Sequence, residues 1–228
     1  MRAVFLDRDG VINRKPPEGE YITHWSEIEY LAGSIEAVAA LHEYGFKIVI
    51  VTNQRGIARG KVKLADLEEI HARITMAIAE RDAVLSGIYY CPHDIVDRCG
   101  CRKPQPGMLR EAAAAHGLDL SKCWMLGDSP SDIEAGRRAG CRTALISSSP
   151  DIEDFDSKPD VQEETLALAV HKILKIEREP KFSQCFEQEP SSAATSPDLS
   201  LEPSRHRSIT KEGNSVPLMP ILNNALRR

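Results

Sequence analysis

The sequence predicts an α/β fold, with a Rossmann-like three-layer α/β/α arrangement around a mainly parallel sheet of five strands. Two observations support this prediction. Over residues 1–178, short apolar runs alternate with segments whose apolar residues recur at helical spacing, which is the pattern of repeated β-α units. The run Lys47–Thr52 is continuously β-branched after its first residue, as expected for a strand that helices cover on both faces.

The first half of the predicted fold begins with a short buried strand over Val4–Leu6. A helix is predicted over Ile35–Tyr44, because Ser34 is a favourable N-cap residue and Gly45 is a common helix stop. The β-branched run then supplies the second strand. The next helix is predicted over Leu64–Asp82, where apolar residues lie three and four positions apart.

The second half of the predicted fold repeats this alternation. Proline opens the helix predicted over Pro106–His116, and glycine follows both this helix and the one predicted over Ser131–Ala139. A final helix is predicted over Glu163–Lys175. The three remaining strands are predicted over Gly87–Cys91, Trp124–Leu126 and Thr143–Ile146.

The composition excludes several classes of protein. The 228 residues are 42% hydrophobic and 28% charged, and the net charge of -5 argues against broad binding of nucleic acid. No stretch approaches the roughly 18 apolar residues of a membrane span, and the apolar N-terminal run is too short for a signal peptide, so a cytoplasmic protein is expected. Residues 179–228 are rich in proline and serine and poor in apolar residues, which predicts a disordered tail after a domain of residues 1–178.

Polar side chains follow three of the predicted strands at the point where each strand ends. Asp7 and Asp9 follow the first strand, Thr52 and Asn53 end the second, and Asp128 follows the fourth. Ligands of parallel sheets bind beyond the carboxyl ends of the strands, so these side chains are expected to meet at one edge. Two carboxylates separated by one residue are weak evidence alone, since a solvated loop or a helix cap has the same pattern.

Four segments of the sequence resemble the haloacid dehalogenase (HAD) superfamily of phosphotransferases. They are Asp7–Asn13, Thr52–Gly60, Tyr89–His93 and Cys99–Pro104. Within that superfamily they are most similar to the D-glycero-D-manno-heptose-1,7-bisphosphate phosphatases and the related histidinol-phosphate phosphatases. The resemblance covers residues 1–178 and implies a phosphatase without a large cap domain.

The resemblance also implies a role for each residue at the sheet edge. Asp7 is the expected nucleophile, and Asp9 is the expected acid and base. Thr52 and Lys103 are expected to hold the phosphoryl oxygens, and Asn53 to orient the substrate or Asp9. A magnesium ion is expected on Asp7, Asp128 and the backbone carbonyl of Asp9. Asp132 either supports that metal through water or caps the helix that follows it.

A second set of residues lies between positions 91 and 101. Cys91, His93, Cys99 and Cys101 supply three thiols and an imidazole, a complete ligand set for tetrahedral Zn²⁺. The alternative is a group of free or disulfide-paired thiols. With no open position for water, a zinc ion there would be structural, and it would rigidify the loop that continues into Lys103.

A bisphosphate substrate requires additional cationic side chains around the phosphate that is not cleaved. The candidates are Arg55, Arg59, Lys61 and Arg102, of which Arg59 and Arg102 are the preferred predictions. The expected reaction is hydrolysis of D-glycero-D-manno-heptose 1,7-bisphosphate to the 1-phosphate by a monomer that binds neither nucleic acid nor membrane. The alternatives are a histidinol-phosphate phosphatase and a non-catalytic, zinc-stabilised binding module.

Overall fold

The computed structural model describes residues 1–148 and 158–179. Its centre is a sheet of six strands in the order β3-β2-β1-β4-β5-β6, and every neighbouring pair is parallel. The strands are β1 (Ala3–Leu6), β2 (Lys47–Asn53), β3 (Leu85–Cys91), β4 (Trp124–Gly127), β5 (Arg142–Ile146) and β6 (Val161–Glu163). The helices are α1 (Ser34–Glu43), α2 (Leu64–Ala79), α3 (Gly107–His116), α4 (Pro130–Ala139) and α5 (Leu166–Arg178).

Successive residues of the central strands contribute to two different cores. On β1, Val4 and Leu6 pack in a core with apolar residues of α1, α2 and α5. Ala3 and Phe5 pack in a second core with residues of α3 and α4. Because side chains alternate between the faces of a strand, the sheet is covered on both sides, and the predicted three-layer α/β/α arrangement is confirmed.

The sheet has one strand more than the sequence predicts. The additional strand, β6, has three residues, of which Val161 alone is buried, so its pattern is too short to be recognised. The same segment was predicted to begin the last helix at Glu163, whereas α5 begins at Leu166. The reason is Thr165, whose hydroxyl oxygen accepts a hydrogen bond from the backbone of Leu168, a local interaction typical of a helix start.

The predicted tail over 179–228 lies outside the described residues, apart from Glu179. Within the described part, no helix is both long and apolar enough to cross a membrane. The long connection 7–33 joins β1 to α1, and 54–63 joins β2 to α2. Both connections leave the carboxyl edge of the sheet, where the predicted polar residues lie.

Candidate active site

The register of the three central strands brings their carboxyl ends together. Leu6 of β1 lies beside Ile50 of β2 and Leu126 of β4. The backbone N–H of Asp7 donates to the carbonyl of Leu126 at 2.9 Å, so the parallel pairing extends to the first residue of the candidate site. Asp128, which follows β4, therefore lies beside the loop that begins at Asp7.

Lys103 lies at the centre of the carboxylate cluster. Its Nζ is 2.8 Å from Asp7 Oδ1 and 2.6 Å from Asp132 Oδ1, and it donates to the carbonyl of Val51 at 2.8 Å. The Lys103 side chain is almost completely buried. The sequence predicted Lys103 as a ligand of the phosphoryl group, and the structure places its ammonium directly against the predicted nucleophile.

Burial and neighbouring charges act in opposite directions on this cluster. Burial raises the pKa of Asp7 to about 7, the positive charge of Lys103 opposes that rise, and the negative charges of Asp132 and Asp9 add to it. Burial lowers the pKa of Lys103, but Asp132 and Asp7 more than compensate and raise it above its ordinary value. Lys103 therefore stays charged and favours the ionised form of Asp7.

Asp132 takes the capping role that the sequence left open, and its second carboxylate oxygen contacts Lys103. Its Oδ2 accepts hydrogen bonds from the backbone N–H of Ser129 at 3.1 Å and from the Ser129 hydroxyl at 2.6 Å, which completes a capping box at the start of α4. Its Oδ1 lies against Lys103. The backbone of Gly127 passes so close that a Cβ there would lie 2.1 Å from Asp132 Cβ, so only glycine fits at the end of β4.

The two carboxylate oxygens of Asp128 differ in their partners. Its Oδ2 accepts from Lys15 Nζ at 2.6 Å, whereas its buried Oδ1 has no hydrogen-bond partner among the described residues. Gly10 has a φ of +91°, and a Cβ at that position would lie 2.3 Å from Asp128 Oδ2. Glycine therefore permits the close approach of the loop to this carboxylate.

The three carboxylates form a candidate site for a divalent cation. Asp7, Asp128 and Asp132 each offer an oxygen atom, and these atoms lie within 4.8 Å of one another. An unpartnered buried carboxylate oxygen is costly unless a cation or a donor satisfies it. The residues present thus fit a hard cation with oxygen ligands, the class that includes Mg²⁺.

The Asp9 carboxylate is surrounded by hydrogen-bond donors. The Arg8 guanidinium donates to Oδ1 at 3.0 Å and to Oδ2 at 2.8 Å. Asn13 Nδ2 donates to Oδ1 at 2.9 Å, and Gln54 Nε2 donates to Oδ2 at 3.1 Å. The side chain that reaches Asp9 from the end of β2 is that of Gln54, whereas the sequence predicts that Asn53 orients either the substrate or Asp9.

Asn53 binds the backbone of Lys103 instead. Its Nδ2 donates to the Lys103 carbonyl at 3.2 Å, and its Oδ1 accepts from the Lys103 N–H at 3.0 Å. Both bonds fix the segment that carries the buried ammonium. The sequence alone predicts no role for Arg8, Asn13 or Gln54, although all three lie in the segments that carry the family resemblance.

Cys91, His93, Cys99 and Cys101 converge at the end of β3. Their sulfur atoms are 3.3–3.5 Å apart, too far for a disulfide bond, and the three cysteines are free thiols. His93 Nδ1 lies 3.6 Å from Cys91 Sγ and 3.3 Å from Cys101 Sγ. A tetrahedral Zn²⁺ with bonds of about 2.3 Å to sulfur needs this compact arrangement of three sulfurs and one nitrogen.

Two of the predicted substrate cations contact the loop that carries these cysteines. Arg59 donates to Asp94 Oδ2 at 2.7 Å and to the Tyr21 hydroxyl at 3.3 Å, so its guanidinium holds two loops together. Arg102 donates to the carbonyl of His93 at 3.4 Å. The other two candidates are Arg55, which is half-buried, and Lys61, which is exposed.

Comparison with known proteins identifies relatives over most of the described chain. Residues 100–167 match a family model of hydrolases described as HAD-hydrolase-like. The chain is 46% identical over 143 residues to the D-glycero-β-D-manno-heptose-1,7-bisphosphate 7-phosphatase of Pseudomonas aeruginosa, an alignment of 63% of this chain and 79% of that protein. It is 39% identical over 151 residues to the protein of the same name from Escherichia coli K12, which covers 63% of this chain and 78% of that protein.

A solved structure supports the same relationship. The D,D-heptose 1,7-bisphosphate phosphatase of B. bronchiseptica, crystallised with magnesium and phosphate, matches this fold with a TM-score of 0.68 and 33% sequence identity. The match covers 77% of this chain and 99% of that one.

Proposed function

The chain belongs to the HAD-like hydrolases, in the family of the D-glycero-β-D-manno-heptose-1,7-bisphosphate 7-phosphatases, and we propose that it hydrolyses the 7-phosphate of this heptose bisphosphate. The observation that carries the proposal is the cluster of Asp7, Asp128 and Asp132, whose oxygen atoms lie within 4.8 Å of one another beside the buried Lys103. A buried nucleophile, a fixed cation and a metal site at one sheet edge are the requirements of phosphoryl transfer through a carboxylate.

The first step transfers the phosphoryl group to Asp7. A carboxylate oxygen of Asp7 attacks phosphorus, and the bond between phosphorus and the sugar oxygen breaks. Asp9 gives a proton to the departing alkoxide, which leaves as an alcohol. The Thr52 hydroxyl, at the end of β2, donates to a phosphoryl oxygen, and the positive charge of Lys103 stabilises the negative charge that spreads over the group.

The second step hydrolyses the aspartyl-phosphate. Asp9, now a carboxylate, takes a proton from a water molecule, and that water attacks phosphorus. The bond from phosphorus to the Asp7 oxygen breaks, which restores the Asp7 carboxylate and releases inorganic phosphate. Asp9 thus returns to its protonated state for the next cycle.

We propose that the divalent cation is Mg²⁺, held by Asp7, Asp128 and the backbone carbonyl of Asp9, with Asp132 at the boundary of the site. When bound, it neutralises part of the charge on the phosphoryl group and on the attacking carboxylate. The free Oδ1 of Asp128 supports this assignment. The Lys15 ammonium on Oδ2 limits rotation of the carboxylate away from the cluster.

We also propose that Cys91, His93, Cys99 and Cys101 bind a structural zinc ion. The support is the convergence of their four donor atoms. Two residues after Cys101, the chain reaches Lys103, and Arg102 is already bonded to the His93 carbonyl. A zinc ion in this loop would therefore stabilise the segment that carries the buried ammonium.

The test is phosphate release in the presence of Mg²⁺. Heptose 1,7-bisphosphate, in both anomers, and histidinol phosphate are compared at equal concentration. We expect the heptose bisphosphate to give the highest kcat/KM and its 1-phosphate as product. Faster turnover of histidinol phosphate would assign the chain to that second activity, and no release from either compound would contradict the proposal.

Asp7→Asn is the critical variant for the mechanism. It keeps the volume of the side chain but removes the nucleophilic oxygen pair, so we expect kcat to fall by at least about 10³-fold. Asp82→Asn, at an exposed position after α2, is the matched control, and we expect its turnover to be unchanged. Retained activity in Asp7→Asn, with folding verified by thermal melting, would exclude Asp7 as the nucleophile.

A further inference from the structure

The Asp9 carboxylate accepts four hydrogen bonds in its ionised form, the form that takes a proton from water in the second step. Each oxygen receives one bond from Arg8, and the second bond comes from Asn13 on Oδ1 and from Gln54 on Oδ2. A carboxylate has about four lone-pair positions. The side chain therefore cannot rotate without loss of at least two charge-assisted bonds, and its orientation is fixed by the protein.

Arg8 is a buried residue whose charge is directed at its own neighbour. Its side chain is 1% exposed, against 18% for Asp9, and the pair is bidentate. The backbone carbonyl of Arg8 also accepts from the N–H groups of Val11, Ile12 and Asn13, which closes the turn after Asp9. Both the turn and the guanidinium thus set the direction of the carboxylate.

Gln54 connects Asp9 with the predicted phosphoryl ligand Thr52. Its Nε2 donates to Asp9 Oδ2 at 3.1 Å and to Thr52 Oγ1 at 2.9 Å, and the carboxylate partner requires that this atom is the amide nitrogen. The Thr52 oxygen is therefore an acceptor toward Gln54, so its own hydroxyl proton is free to point elsewhere. Asp9 Oδ2 and the Thr52 hydroxyl must lie on the same side of the site, because one nitrogen contacts both.

We propose that Arg8 and Gln54 are positioning residues of the phosphatase reaction. Arg8 fixes the plane of the Asp9 carboxylate, and Gln54 aligns Asp9 Oδ2 with the Thr52 hydroxyl that binds the phosphoryl group. This inference rests on the roles of Asp9 and Thr52 in the proposed function. It predicts that the two residues affect different parts of the first chemical step.

The experiment compares two leaving groups in single turnovers with excess enzyme and Mg²⁺. The alkoxide of heptose 1,7-bisphosphate needs a proton to depart, whereas the nitrophenolate of 4-nitrophenyl phosphate does not. For Arg8→Met, we expect release of the dephosphorylated sugar to slow by about 100-fold and release of 4-nitrophenol to change by less than about threefold. Arg8→Lys, which keeps the charge and one donor, should recover about tenfold of the loss.

Gln54→Met should behave differently, because it removes a bond from Thr52 as well as from Asp9. We expect both substrates to slow by about tenfold or more, and in steady-state assays of the same variant KM should change far less than kcat. Gln105→Met and Arg138→Met are matched controls at exposed positions and should leave both rates unchanged. Thermal melting of every variant measures stability separately from rate.

Equal effects of Arg8→Met on the two leaving groups would overturn the inference, since loss of structure slows both alike. Absence of any effect would overturn it as well. Should Arg8→Met fail to fold, Arg8→Lys decides by the same comparison, and unchanged rates in Gln54→Met would overturn the part of the inference that concerns Gln54. If the wild-type protein hydrolyses neither substrate, the proposed function itself is contradicted. If the wild type has normal rates and the variants change neither rate, only the inference about Arg8 and Gln54 is contradicted.

Discussion

Two aspartates separated by one residue have different surroundings in this site. Asp7 is buried beside Lys103, which it shares with Asp132, and burial raises its pKa to about 7. Asp9 accepts four hydrogen bonds from three side chains. Different environments are the usual way in which neighbouring carboxylates acquire different roles.

His71 is a buried titratable residue that the proposed mechanism does not use. It lies on α2 with its ring 5.6 Å from that of Tyr90, and neither ring nitrogen has a hydrogen-bond partner in the described part of the chain. Burial, aided by the charge of Arg8, lowers its pKa to about 3. In the unfolded chain its pKa is about 6.5. As pH falls below that value the unfolded state binds a proton that the native state does not, so stability decreases.

We therefore predict that His71→Phe removes one component of acid sensitivity. Between pH 7 and pH 5, the free energy of unfolding of the wild type should fall relative to the variant by roughly 2 kcal/mol. Urea unfolding at several pH values measures this difference. His171→Phe, at an exposed position on α5, should follow the wild type. Parallel curves for His71→Phe and wild type would contradict the prediction.

Among the elements, those with a clear pattern could be predicted and those determined by contacts could not. The β-branched run predicted β2 to within one residue of Lys47–Asn53. The helix over Leu64–Asp82 was three residues too long, because α2 ends at Ala79 and Asp82 adopts a φ of +57°. Strand β6 has three residues, too few for an alternating or continuous apolar pattern to be recognised. Strand ends alone were enough to predict that the polar residues of the candidate site share one edge.

The sequence could not predict which side chains contact one another within that edge. Asn53 and Gln54 are consecutive amides, and only the path of the chain after β2 decides that Gln54 contacts Asp9 while Asn53 contacts Lys103. Arg8 is charged, so its type suggests exposure, yet it is buried. Its partner is the adjacent residue, a pairing for which sequence spacing gives no signal.

The loop that carries Cys99 and Cys101 can be tested as a single element. Wild-type protein should contain about one zinc ion per chain, and Cys99→Ser should lose it. We expect faster hydrogen–deuterium exchange over 91–103 and a fall in kcat/KM of about 10-fold, because the segment that carries Lys103 loses its support. Elemental analysis, exchange mass spectrometry and the phosphatase assay measure these three effects.

Cys141→Ser is the matched control for the loop. Cys141 is a free thiol that directly precedes β5 and is not one of the four converging residues, so its loss should leave the zinc content unchanged. Wild-type protein without zinc after purification in zinc-supplemented medium would refute the structural metal. Full activity of zinc-free Cys99→Ser would refute the link between this loop and the catalytic segment.

At the scale of the whole molecule, the last helix is attached to the sheet at the edge opposite the candidate site. Glu177 of α5 accepts hydrogen bonds from Arg2 at 3.1 Å and from the indole of Trp124 at 3.1 Å, and it pairs with Arg142. The Arg142 guanidinium also covers the Trp124 ring at 4.1 Å. One carboxylate thus connects the start of β1, β4 and β5 with the end of the described chain.

This attachment predicts where the chain can be shortened. We propose that residues 1–178 form the catalytic domain, and we expect a chain that ends after residue 179 to keep its kcat/KM and to melt within about 2 °C of the full chain.

In the shortened chain, Glu177→Met leaves the Trp124 N–H and two cations without their acceptor. That loss should cost about 1–3 kcal/mol and lower the Tm by roughly 3–8 °C, with kcat little changed because the site lies at the other edge. Calorimetry measures the Tm of each chain, and the phosphatase assay measures its kcat and kcat/KM. Inactivity of the shortened chain would show that residues 180–228 are needed for the catalytic fold.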